Sequence, residues 1–227
     1  MSTEHLNFHK IDVCLFDILG TILNWHSTVT RQVTCLSKRL LLEGSQDAVN
    51  FAEEWRAGYC DHVKRVLQDG EGTFNADIIH QQIMHSPCIL DNIDTIPSLT
   101  ELKHHINILT LSNGNFRLLL DLAKNQGVPW DGIFTSKLSR SYKLNKKVYQ
   151  STAYHLYLPP HKIAMVTVHR FDLITASSIG FKTMYVPCPT EDLHEVRESM
   201  HSKKDGGEVD LLVKDFEQLV RLICEAQ

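Results

Sequence analysis

The sequence predicts an α/β protein: a doubly wound parallel sheet carrying an inserted all-helical cap. Three observations point there. An apolar strand lies near the start, a long stretch of helical spacing follows it, and strands alternate with helices from Pro97 onward. The strand is Ile11–Phe16, a nearly continuous apolar run that stops at Asp17 and meets the turn-forming Gly20 and Thr21. Such a run reads as a buried strand feeding a loop.

From Trp25 to about Pro87 the apolar spacing is helical, in the pieces Ser27–Glu43, Asp47–Gln68 and Asn75–Met84, split by Gly44 and by Asp69-Gly70-Glu71-Gly72. The rhythm then changes. Ile106–Leu111 reads as a strand, Phe116–Gln126 as a helix ending at Gly127, Gly132–Thr135 as a strand and Lys146–Tyr157 as a helix. Ile163–Val168 is a strand, Phe171–Ile179 a helix closed by Gly180, Lys182–Val186 and Asp210–Val213 strands, and Asp215–Ala226 a helix. Elements of these lengths make parallel βαβ units, whose ligands bind in loops at the carboxyl ends of the strands. Met200–Glu208 (MHSKKDGGE) reads as a flexible surface loop. The expected organisation is a discontinuous core of residues 1–24 and 98–227 with a helical cap at 25–97.

Composition narrows the function classes. Of 227 residues, 43% are hydrophobic and 22% charged, which excludes wholesale disorder and a fibrous repeat. Lys and Arg number 23 against 27 Asp and Glu, a formal charge of −4 with no basic block, arguing against nucleic acid or an anionic membrane as partner. No apolar run reaches the roughly 18 residues a membrane helix needs, and MSTEHLNFHK is too polar for a signal peptide, so a cytoplasmic protein is expected. The six cysteines form no CxxC pair and read as reduced structural thiols. Thirteen histidines raise the question of metal. His5 and His9 would make a zinc pair only on a helix, and His104-His105 reads as a solvated helix end.

Polar residues stand just past three of the buried strands: Asp17 and Thr21, then Ser112-Asn113-Gly114, then His169 and Asp172. Lys143 lies in the loop before the helix that begins near Lys146. A doubly wound sheet brings such loops together into one site. A carboxylate at a strand tip, near a lysine and backbone N–H groups, stays ionised and available as a nucleophile. Each residue also has a plainer reading. Asp17 could cap its loop, Lys143 could be solvated, Asp172 could cap the helix that follows, Ser112 and Asn113 could only form a turn, and Arg56 could make an ordinary helix-surface ion pair.

Four short motifs in order carry a resemblance. Phe16-Asp17-Ile18-Leu19-Gly20-Thr21 resembles the first motif of the haloacid dehalogenase superfamily, Leu111-Ser112-Asn113-Gly114 the second, Tyr142-Lys143 the third and His169-Arg170-Phe171-Asp172 the fourth. The implied fold is a Rossmann-like core with a helical cap. Phosphatases of that superfamily carry a second Asp two residues after the nucleophile; this chain has Leu19 there, which transfers no proton and binds no metal. The sequence is more similar to the type II 2-haloacid dehalogenases, through Asn24-Trp25, Trp55-Arg56, Leu111–Asn115 and Met165–Leu173, and especially to fungal-type members.

The resemblance implies a hydrolase that needs no metal or other cofactor and acts on a small anionic substrate. Asp17 would attack C2 of a 2-haloalkanoic acid, expel halide and form an ester that water then hydrolyses. Arg56 would reach down from the cap to receive the halide; Thr21, Ser112 and Asn113 would hold the substrate carboxylate or orient Asp17; Lys143 would pair with Asp17 and Asp172. Asp172, with His169 beside it, would orient or deprotonate the water. Trp25, Trp55 and Tyr59 are expected at the cap–core junction. Leu19 stands where the dehalogenases usually carry Tyr, His169 where bacterial members carry Asn, and the return from cap to core, His85–Leu99, reads as short. Leu19 and the short return keep open a repurposed member serving biosynthetic cyclisation, isomerisation or binding; a phosphatase-like hydrolase of a small phosphomonoester is the competing enzyme reading, which Leu19 disfavours. A homodimer is compatible with the resemblance.

Overall fold

The computed structural model describes residues 11–69, 89–90, 95–188, 191 and 194–226. Strand β1, Val13–Phe16, is buried at every position because it has a parallel neighbour on each side. Strand β4, Asn107–Ser112, pairs Leu109 with Leu15, and β6, Ile163–Thr167, pairs Met165 with the same residue. Strand β5 is Gly132–Thr135, β7 Lys182–Tyr185 and β8 Leu211–Leu212. The six-stranded parallel sheet runs β5-β4-β1-β6-β7-β8. The order reverses at β1, which places the carboxyl ends of β4, β1 and β6 side by side at a topological switch point.

Helices cover both faces. One layer buries Phe16 against Trp130 and Phe216, with ring centroids 5.5 and 6.3 Å apart. Here α3 (Thr95–Lys103) packs on α8 (Phe216–Ala226). The opposite layer buries Leu15, Leu111, Tyr149 and Met165 under α5 (Lys146–Leu156) and α6 (Arg170–Ile179). Each such large side chain removed from water contributes about 1.5–3 kcal/mol, which fixes the inner strands and hence the position of their carboxyl ends. Helix α4, Phe116–Gln126, starts where the Asn115 side chain accepts the Leu118 N–H at 2.8 Å and ends at Gly127.

Two helices follow β1 in sequence: α1, Trp25–Leu36, and α2, Gln46–Asp69. They are preceded by β2, Leu23–Asn24, which pairs antiparallel with β3, Ile89–Leu90, so the chain leaves and returns through one short ribbon. The sequence predicts a first helix to Glu43, but α1 stops at Leu36. Lys38 and Arg39 adopt left-handed φ of 53° and 68°, and the Ser37 hydroxyl donates to Thr34 O while accepting the Leu41 N–H. Nothing in Lys-Arg marks such a turn, because neither residue favours positive φ. The predicted helix Asn75–Met84, His5, His9, Cys88 and most of the His85–Leu99 return lie outside the described residues.

Met200–Glu208, read as a flexible loop, follows α7 (His194–Ser199) and forms a hydrogen-bonded turn with a short bridge from Ser202 to Val209 and Met200 buried. His104 and His105 are exposed at the end of α3 as expected. Among the described residues no helix is long and apolar enough to cross a membrane.

Candidate active site

Asp17 is the first residue beyond β1 and is almost fully buried. Its backbone N–H still donates to Val166 O, so the side chain leaves the sheet at a fixed angle. The Thr21 hydroxyl donates to Asp17 Oδ2 at 3.1 Å and accepts the Val168 N–H at 3.2 Å, tying the loop after β1 to the loop after β6. Thr167, the last residue of β6, adds a hydroxyl 3.3 Å from that of Thr21 and accepts the His169 N–H.

Lys143 is buried between two carboxylates. Its Nζ donates to Asp17 Oδ1 and to Asp172 Oδ2, each at 2.6 Å. The lysine is held from behind: Asn113 Oδ1 accepts the Lys143 N–H at 2.7 Å, and Asn113 Nδ2 donates to Lys143 O at 3.2 Å. The Asn113 amide therefore positions Lys143 through its main chain, a use different from holding a substrate carboxylate. Ser112 Oγ accepts the Gly114 N–H at 3.2 Å, closing the tight turn that follows β4.

Asp172 sits in the first turn of α6, where the helix dipole favours a carboxylate. Its second oxygen accepts a hydrogen bond from the Tyr149 hydroxyl of α5. Burial, then the nearby Asp172 charge, pushes the Tyr149 phenol well above its ordinary range, so it remains a donor. Burial alone would also raise Asp17, but the Lys143 ammonium and the His169 ring outweigh it and hold the carboxyl well below the usual carboxylate range. Lys143 is likewise held protonated: burial opposes its charge, and Asp17 and Asp172 more than compensate.

His169 Nε2 donates to Leu19 O at 3.0 Å and lies 3.4 Å from Asp17 Oδ2. Burial works against its charge, yet Asp17 and Glu191 together raise it to about 9, with Arg56 opposing. The ring is an imidazolium at neutral pH. Across the site, the Arg56 guanidinium lies 5.1 Å from the Trp25 ring centroid and 5.5 Å from that of Tyr59. Trp55 packs 6.2 Å from Trp25. The Arg56 Nη2 atom is 3.5 Å from Glu191 Oε2.

Asp17, Leu19, Arg56, Ser112, Asn113, Lys143, His169 and Asp172 all line one cavity of about 220 Å³, completed by Tyr59, Cys60, Leu144 and Phe171. Of the candidate catalytic and substrate-binding residues, Thr21 alone is absent from that lining; it is bonded to Asp17 from behind. The two carboxylates converge on an ammonium, and Leu19 brings an apolar chain to the same wall, so the arrangement suits a held, ionised nucleophile rather than a set of open oxygen ligands. Sequence reading did not single out Tyr149, Thr167 or Glu191. Tyr149 had one available signal, a tyrosine on the apolar face of a helix just after Lys143; Glu191 had none, lying in an aperiodic Pro-rich segment.

No family model matches the chain, and no curated protein is similar enough to match. Solved structures do. A defluorinating L-2-haloacid dehalogenase superposes with a TM-score of 0.80 at 29% identity, covering 94% of this chain and 95% of its own. The fold is that of the haloacid dehalogenase superfamily. A second L-2-haloacid dehalogenase gives a TM-score of 0.78 at 25% identity over 95% of this chain and 99% of its own. The enzyme of Xanthobacter autotrophicus with chloropropionic acid covalently bound gives 0.72 at 16% identity over 94% and 98%, a likeness of fold. These neighbours support a haloacid dehalogenase-like hydrolase, and the sheet order sets Asp17 and Ser112 at adjoining strand ends, with Asp172 in the helix turn that follows β6.

Proposed function

We propose that this chain hydrolyses the carbon–halogen bond of a small 2-haloalkanoic acid through an ester on Asp17, without a metal. The observation that carries the reading is the cavity's polarity. A buried, ionised Asp17 lies on one side and the Arg56 guanidinium, stacked on Trp25 and Tyr59, on another.

An Asp17 carboxylate oxygen forms a bond to C2 as the C2–halogen bond breaks, and the electron pair leaves with the halide. Arg56 and His169 face that developing negative charge, and a guanidinium fixed by stacking needs no reorganisation to meet it. Water then adds to the Asp17 carbonyl carbon; the C2–oxygen fragment departs as the 2-hydroxy acid, and the carboxylate is regenerated. Asp172 uses one lone pair on each oxygen for Lys143 and Tyr149 and keeps others for the water. Lys143 stabilises the ionised nucleophile between turnovers, and Thr21 sets its rotation.

The phosphatase reading is less well supported, because Leu19 supplies no second acid to protonate a leaving group. Halide release from 2-chloropropionate in the presence of a chelator tests the proposal. It is expected from the wild type and lost in Asp17→Asn. Phosphate release from phosphomonoesters on Mg²⁺ addition, with no halide release, would contradict it.

A further inference from the structure

Glu191 has its side chain only 5% exposed, yet it is not among the residues lining the cavity. It stands behind the wall. Its Oε2 is 3.5 Å from Arg56 Nη2 and 3.9 Å from His169 Nδ1, so one carboxylate faces both cations that are not committed to Asp172. The close approach is built into the backbone: Gly20 has φ of +89°, and a Cβ there would lie 2.2 Å from Glu191 Cδ. Only a glycine leaves room for the glutamate.

Two features separate a role in holding Arg56 from a role in offsetting its charge. The guanidinium is already fixed by Trp25 and Tyr59, on which it stacks. The 3.5 Å separation from Glu191 also exceeds the roughly 2.7–2.9 Å of a charge-assisted hydrogen bond. The carboxylate therefore acts chiefly through its field. Among the described residues Lys143, His169 and Arg56 are matched by Asp17, Asp172 and Glu191, and removing Glu191 alone would shift that set towards positive charge.

We propose that Glu191 is a built-in counter-anion that weakens the grip of Arg56 and His169 on anions, and so sets how readily halide leaves. This rests on the proposed role of Arg56 as the halide-receiving cation. Glu191 touches no reacting atom; it is a positioning residue that works through its two cationic neighbours. A site without it would hold its product ion more tightly at each turnover.

Chloride binding, followed by broadening of the chloride NMR line, tests this with no turnover required. The specific signal is the part abolished by Arg56→Ala. Glu191→Gln is expected to tighten chloride binding about tenfold, the size of effect one unit charge exerts a few ångströms away in a partly solvated site. Glu191→Asp, which keeps the charge, is expected to stay close to the wild type. With 2-chloropropionate as substrate, Glu191→Gln should lower KM and kcat together. Unchanged or weaker chloride binding in a folded Glu191→Gln protein would overturn the proposal while leaving the Arg56 reading intact. Absence of any Arg56-dependent chloride signal in both proteins would overturn both.

Discussion

The Nζ of Lys143 lies 2.6 Å from Asp17 Oδ1 although 126 positions separate them in sequence. The same nitrogen holds Asp172, so one ammonium is shared by two buried carboxylates. In Lys143→Met the cation between those carboxylates is gone and only His169, 3.4 Å from Asp17 Oδ2, faces the pair, which favours protonation of one of them. Stability is expected to fall by about 3–5 kcal/mol, and kcat for halide release by roughly hundredfold or more. Urea unfolding and a halide assay on the same preparation check both.

Tyr149→Phe removes the donor to Asp172 while preserving the ring that packs 6.2 Å from Phe181. The packing contribution stays, so the loss isolates one buried hydrogen bond to a charged acceptor, about 1.5–3 kcal/mol. Denaturant midpoints of the two proteins measure it.

His169 gives the protein an alkaline dependence with a definite sign. Its folded pKa, about 9, lies above the ordinary value of 6.5 because Asp17 and Glu191 outweigh burial. The stabilisation is therefore complete below about pH 6.5 and is lost as pH rises through 9. Wild type and His169→Asn, compared by urea unfolding from pH 6 to pH 10, should differ by about 3 kcal/mol at the acid end and converge at the alkaline end. A gap that stays constant across the range would sink the assignment of charge to this ring.

Gly20→Ala tests the packing of Glu191. Alanine at φ of +89° is strained, and its Cβ would also meet Glu191. At Gly127, φ is +67° and a Cβ would meet nothing within 4 Å among the described residues. Gly127→Ala should cost about 1–2 kcal/mol from backbone strain alone, and Gly20→Ala distinctly more. Equal losses in thermal unfolding would remove the steric argument.

The sequence was informative where burial and chemistry coincide. Val13–Phe16 and Ile163–Thr167 are inner strands, buried on both faces, so their near-continuous apolar runs point straight at Asp17 and at His169 and Asp172. Lys143 was legible by its neighbour Tyr142 and its place before a helix. The two-residue strands Leu23–Asn24 and Ile89–Leu90 were not, because a pair of residues shows no periodicity. Glu191 was hidden for a different reason. Its burial follows from Gly20, Arg56 and His169, each distant in sequence, and no local pattern announces a carboxylate that will be covered by residues from three other segments.

The ester on Asp17 is the central claim, and a single turnover in heavy-oxygen water tests it most directly. Enzyme in excess over 2-chloropropionate, digested and weighed by mass spectrometry, should carry the heavy oxygen in the peptide containing Asp17, with ordinary oxygen in the 2-hydroxy acid. Label found only in the product, with none in that peptide, would show that water attacks the substrate directly and would contradict the account.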